Sequence, residues 1–149
     1  MTHLIIFLAS GAYSGFSPVA SGTAGTVVGI IVYLFMPYDD LSHYLLITLL
    51  LYLLGCWVSQ QAEIIFGQKD SGKIVIDEIV GYLISMFALP PGFSWILFGF
   101  LLFRFFDVVK FPPAIQAEKL PGGIGVMTDD VVAGAYTCLV LHVVRFLFA

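Results

Sequence analysis

The sequence predicts an all-α, polytopic membrane helical bundle of about five spans. Three observations carry that expectation. Of 149 residues, 60% are hydrophobic and only 11% are charged, where a soluble domain carries about 25%. Mean hydropathy is +1.01. The few charges bound apolar runs long enough to cross about 30 Å of hydrocarbon. Charges this sparse cannot cover a water-facing surface, so lipid must solvate most of the outside. That argues against a soluble globular enzyme and a disordered chain. Six Lys and Arg against ten Asp and Glu leave a net charge of −4, with no cationic patch for nucleic acid.

The elements follow in order from the charge-bounded runs. Nothing between His3 and Asp39 is charged, a stretch too long for one crossing. Residues 4–9 are too short to span and are expected as an N-terminal interfacial or re-entrant helix. They follow no basic n-region, so a cleaved signal is not expected. Residues 22–36 are the first span, stopped by Pro37. Residues 41–62 form the second, 74–89 the third and 93–109 the fourth, with Pro90-Pro91-Gly92 between the last two. Residues 131–148 are the fifth. No repeat or boundary divides the chain, so 1–149 reads as one integral membrane domain. Cys56 and Cys138 sit in apolar runs without metal-ligand spacing or a disulfide framework.

Lys and Arg set the orientation. Lys69 and Lys73 lie between spans two and three. Lys110 and Lys119 follow span four, with Arg104 near its end. The opposite loops, PYDDLS and PPGFS, carry no basic residue. The basic loops and the N-terminus are therefore expected in the cytoplasm and the C-terminus outside. Arg145 is the exception, and could snorkel to the far interface.

This topology puts every unusual polar segment on the cytoplasmic side. In VIDEIVG, Asp77 and Glu78 are flanked by apolar residues and point about 100° apart on a helix. A carboxylate at mid-membrane costs about 2.5–3.5 kcal/mol. That cost calls for a cation, a metal or a water-facing site. The plainer alternative is acids favoured by a helix first turn. In LLFRFFDVVK, Arg104, Asp107 and Lys110 form one i, i+3, i+6 stripe. It is either a boundary ion pair, or a metal ligand or base beside phosphate-holding cations. In LPGGIGVMTDDVVAG, Gly122, Gly123 and Gly125 read as a flexible loop. Thr128 reads as an N-cap with Asp129 and Asp130 in the first turn. Paired acids there also suit Mg²⁺, which prefers carboxylate and water oxygens. In SPVASGTAGT, free N–H groups at a helix start could hold an anion. The alternative there is close packing through Gly25 and Gly29. Together these segments suit chemistry on a phosphorylated lipid headgroup.

The same four segments resemble the phosphatidylglycerophosphatase A family. SPVASGTAGT, KDSGKIVIDEIVG, FRFFDVVKFPP and GGIGVMTDDVVAG match its four patterns, in its order, over residues 17–134. Ser21 stands where the family usually has proline, and Phe111 intervenes before Pro112. The resemblance implies a Mg²⁺-dependent phosphatase in the bacterial inner membrane, its site at the cytoplasmic face. It would convert phosphatidylglycerophosphate to phosphatidylglycerol and inorganic phosphate. The matching residues are Asp70, Asp77, Glu78, Asp107, Asp129 and Asp130. We expect Asp77, Glu78 and one or both of Asp129 and Asp130 to bind metal, with Asp70 a further metal candidate. Asp107 is expected as a further ligand or a base. Arg104 and Lys110, with Thr23 and Thr26, are expected to hold phosphate.

Other phosphatase chemistries lack their motifs. Cys138 and Arg145 have six residues between them, not the five of a cysteine phosphatase. No D-x-D-x-[TV] run occurs. His3, His43 and His142 are scattered and read as structural. The main rival is a small cation or proton transporter using the acid cluster. It should place acids near the midplane with access from both faces. A non-catalytic assembly subunit, pairing through GTVVG, would not explain four polar segments on one side.

Overall fold

The computed structural model describes residues 1–148. Seven helices, and no strand, occur among them. They are α1 (Thr2–Ala9), α2 (Ser21–Leu34), α3 (Leu41–Phe66), α4 (Ile76–Ser85), α5 (Phe93–Val109), α6 (Ala114–Ala117) and α7 (Gly122–Phe148). A single 3₁₀ turn, Ser14–Phe16, links α1 to α2.

Helices α3 and α7 have 26 and 27 residues, about 39 and 40 Å at 1.5 Å per residue. They are the two helices long and apolar enough to cross a membrane. Their outer faces are apolar: Leu45, Leu49 and Leu53 of α3 and Leu139, Val143 and Phe146 of α7 are exposed. Asp40 starts α3 by accepting from the N–H groups of Ser42 and His43, the ordinary capping arrangement. Gly67, with φ +65°, ends it. Helix α1 is short, as expected, and packs on α3 through the buried Ile5 and Ala9.

The third expected span is largely not a span. Only Ile76–Ser85 is helical, about 15 Å, or half a hydrocarbon core. Val75 before it is anchored instead by its N–H to the Ala9 carbonyl at 2.9 Å. After it the chain turns, with Ala88 in the left-handed region at φ 58°. Helix α4 is an interior helix, and all its residues except Glu78 and Ile84 are buried. Its far end is held by α7. His142 Nε2 lies 2.9 Å from the Phe87 carbonyl, and Arg145 donates to the Ala88 carbonyl at 2.9 Å. Arg145 thus satisfies a turn carbonyl, where the sequence alone suggested snorkelling.

The bundle is built round α4. On one side Tyr82 meets Tyr33 of α2 and Phe103 of α5 edge-on, at ring separations of 6.3 and 6.4 Å. On the other, Val80 joins Val58, Ala62, Val126 and Met127 of α3 and α7. Gly25 and Gly29 of α2 lie against Val75, Ile79 and Tyr82, so the expected small-residue face does pack closely. Helix α4 crosses α7 at close range. A Cβ at Gly134 would strike the Gly81 carbonyl and come within 3.1 Å of Ile84 Cβ. One at Gly81 would come within 2.8 Å of the Asp130 carbonyl.

The loop and cap expected at 122–130 are both corrected. Helix α7 begins at Gly122, so its glycines are helical. A Cβ at Gly123 would strike the Cys56 carbonyl of α3, and one at Gly125 the Leu120 carbonyl. Bare backbone lets this first turn dock, and docking makes it a helix. Thr128 is therefore not a cap. Its hydroxyl donates to the Ile124 carbonyl at 2.6 Å, and Asp129 and Asp130 lie beyond the first turn.

Gly134→Val should cost about 1–3 kcal/mol by overpacking. We expect this as a lowered unfolding temperature in detergent micelles. Gly72→Ala, with only the Ser21 Oγ nearby at 3.8 Å, should leave that temperature unchanged.

Candidate active site

The site lies at one end of the bundle, where α2 and α4 begin, α5 ends and α7 has run two turns. Asp77 and Glu78 enter on the first turn of α4, and Asp130 enters from α7 across the Gly81–Gly134 crossing. One carboxylate oxygen from each of Asp77, Glu78 and Asp130 lies within 4.8 Å of the others. Asp77 and Asp130 are 9% and 3% exposed. Asp77 Oδ1, Glu78 Oε2 and Asp130 Oδ2 are buried without a hydrogen-bond partner. Two like charges about 4 Å apart repel by about 4 kcal/mol at an effective dielectric of 20. Three such groups, each with an orphaned oxygen, are the donor set a divalent cation satisfies.

The local cations cannot do so. Arg104 of α5 touches Asp107 one turn on, and its Nη1 is 3.8 Å from Glu78 Oε1. These are ion-pair contacts without a well-aligned hydrogen bond from Nη1. Lys110 is committed elsewhere, with Nζ 2.8 Å from Asp129 Oδ2 and 3.4 Å from Glu118 Oε1. Partial burial alone would lower the Lys110 pKa. The Asp129 and Glu118 carboxylates outweigh it and hold the amine above its ordinary value. Its left-handed backbone, φ 47°, turns the chain out of α5. Phe111, the residue that interrupts the expected K-P spacing, stacks on Phe106 at 5.8 Å and steadies that turn.

The remaining expected residues divide. Asp107 lies against Asp130 as well as Arg104. Asp129 pairs with Lys110 and stands outside the three-carboxylate group, its other oxygen buried and unpartnered. Asp70 is exposed, and its backbone N–H donates to Glu63 Oε1 at 2.7 Å. With Lys69 and Glu118 it borders a separate small cavity of about 170 Å³. Thr26 is fully buried, and its hydroxyl donates back to the Gly22 carbonyl at 2.8 Å. It closes its own helix turn and does not face a phosphate. Thr23 is half-buried in the first turn of α2. The start of that helix abuts the acids, since a Cβ at Gly22 would strike Glu78 Oε1 and fall 2.9 Å from both Arg104 Nη atoms. Gly22 and Glu118 are the contributors the sequence did not single out. The GT pair at a helix start hinted at Gly22, but nothing local marked Glu118.

The family model for phosphatidylglycerophosphatase A matches residues 7–145. A phosphatidylglycerophosphatase A of Haemophilus influenzae is 40% identical, covering 95% of this chain and 89% of its own. That of Escherichia coli is 34% identical, covering 91% of this chain and 80% of its own. A Bacteroides thetaiotaomicron protein named "Putative phosphatidylinositol-3-phosphatase" is 35% identical, covering 97% and 96%. No solved structure matches the chain. With a family model spanning nearly its whole length and relatives at these identities, the chain belongs to the phosphatidylglycerophosphatase A family, a family of phosphatases.

Proposed function

We propose that the protein hydrolyses the phosphomonoester of phosphatidylglycerophosphate in a Mg²⁺-dependent reaction, with Asp77, Glu78 and Asp130 as the metal ligands. The observation that supports this most is the buried trio, each member with an orphaned oxygen, beside one guanidinium. A divalent cation held there would neutralise phosphate charge and make a bound water acidic.

The other roles fall to side chains. Arg104, braced by Asp107, offers its guanidinium to the phosphoryl oxygens. Thr23 and the free first-turn N–H groups of α2 face it across Gly22. Asp107 orients the attacking water and accepts its proton. The water oxygen bonds to phosphorus as the bond from phosphorus to the glycerol oxygen breaks. That oxygen takes a proton from solvent water while Asp107 returns its own to solvent, giving phosphatidylglycerol and inorganic phosphate. Lys110 stands at the border of the phosphate site and keeps the Asp129 carboxylate paired. The basic loops would place this end at the cytoplasmic face of the bacterial inner membrane. In this reading α3 and α7 cross, with the shorter α2 and α5 and the buried α4 packed alongside them. One relative's name refers to a different headgroup, so headgroup choice is the property to measure.

Phosphate release from phosphatidylglycerophosphate in detergent micelles should require Mg²⁺ and stop on adding EDTA. Asp77→Asn should lower turnover by at least about 100-fold while the protein expresses and folds. Wild-type rates in that variant would remove Asp77 from the site. Thr26→Val should retain near wild-type turnover, and Thr23→Val should raise KM. Equally fast release from phosphatidylinositol 3-phosphate would show that the headgroup is not selected.

Lys110→Met should destabilise the fold more than Asp129→Asn does, because it leaves a buried carboxylate unpaired. The elevated Lys110 pKa means this pair is intact below the amine's unfolded value, about 10.4. Its stabilisation is lost only as pH rises through the higher folded value. The Lys110→Met penalty should thus stay constant from about pH 6 to pH 9, read by unfolding temperature across that range.

A further inference from the structure

Helices α2 and α5 run antiparallel and touch each other little, α2 packing mainly on α4 and α5 mainly on α7, which leaves an apolar groove of about 670 Å³ between them. Val27, Ile30 and Leu34 line it from α2, and Phe93, Leu97 and Phe100 line it from α5. Val27, Leu34, Phe93 and Leu97 are all more than 40% exposed, so the groove opens sideways out of the bundle. Each lining stripe continues into the candidate phosphate site. Residues 34, 30, 27 and 23 step along one face of α2 and end at Thr23. Residues 93, 97, 100 and 104 step along one face of α5 and end at Arg104. The two polar ends converge, as the contact between Gly22 and Arg104 shows.

We propose that this groove seats an acyl chain of the phosphomonoester lipid whose phosphate lies at Arg104 and Thr23. The proposal rests on the phosphate placement above. From Val27 to Leu34 the walls extend about 10 Å along the helix, with no charged side chain on them. The volume is in the range of sites that enclose an apolar ligand. A second groove, between α3 and α7, is lined by Tyr44, Leu45, Leu139 and His142 among others. It opens near the far end of α7, and a smaller apolar cavity of about 250 Å³, lined by Thr48, Tyr52 and Val131 among others, continues that flank toward Asp130. Neither wall of that flank carries Lys or Arg, whereas the α5 wall of the α2–α5 groove runs on along the helix to Arg104.

The test uses the full chain in detergent–phospholipid micelles. The probe is a non-hydrolysable phosphonate analogue of a diacyl phosphomonoester, with a diazirine midway along one acyl chain. Irradiation should label residues 27–34 and 93–100, and Val27→Trp and Leu97→Trp should each cut that labelling about tenfold. Both positions are exposed, so the larger ring does not disturb the core. Labelling spread evenly over all lipid-facing helices, or concentrated on residues 45–52 and 139–142, overturns the proposal. In turnover, Leu97→Trp should lower kcat/KM about tenfold for a long-chain substrate but not for a dihexanoyl one. Equal loss on both also overturns it. If wild type releases phosphate from neither substrate yet still labels in the groove, the activity fails and the acyl-chain site stands.

Discussion

The close crossing of α4 on α7 is the constraint on which the rest depends. Gly81 and Gly134 bring two backbones so near that neither tolerates a Cβ. In a lipid-solvated bundle, the hydrophobic effect does little to press helices together, so backbone proximity and dispersion must hold them. This crossing sets the depth of Asp77 and Glu78 on one helix against Asp130 on the other. It also fixes how α2 and α5 sit, because α2 packs chiefly on α4 and α5 chiefly on α7.

Charge arithmetic gives the site its chemistry. Asp77, Glu78, Asp107, Asp129, Asp130 and Glu118 gather round two cations, Arg104 and Lys110. Lys110 is absorbed by Asp129 and Glu118, and Arg104 by Asp107 and in part by Glu78. The trio is left with buried oxygens that no protein donor reaches. Such oxygens cost free energy unless something compensates them. Three of them within 4.8 Å form a group that could hold a cation, at a cost to the stability of the empty fold.

The two ends of the molecule differ in what their polar groups do. Polar groups sit at the end where α2 and α4 start. At the opposite end Asp40 caps α3 and pairs with His43, and the carbonyls of Phe87 and Ala88 are met by His142 and Arg145. Buried backbone turns need partners when water is scarce, and the last turns of α7 supply them. The result is one reactive end and one structural end.

The sequence by itself determined the helical character, the apolar outer surface and the acidic residue types that gather at the candidate site. Those follow from composition, from charge spacing and from acids too costly to leave in lipid without a purpose. Four short segments also pointed to the family that the relatives confirm. What it could not determine were properties of contacts between distant segments. Hydropathy reads residues 74–89 as a span, but only packing shows that α4 is ten residues deep inside the bundle. The GGIG run looks like a loop until the α3 backbone is seen beside it, where glycine means docking rather than freedom. Adjacent acids at 129 and 130 look equivalent in the sequence. Successive helix positions point about 100° apart, so tertiary structure sends Asp130 to the trio and Asp129 to Lys110.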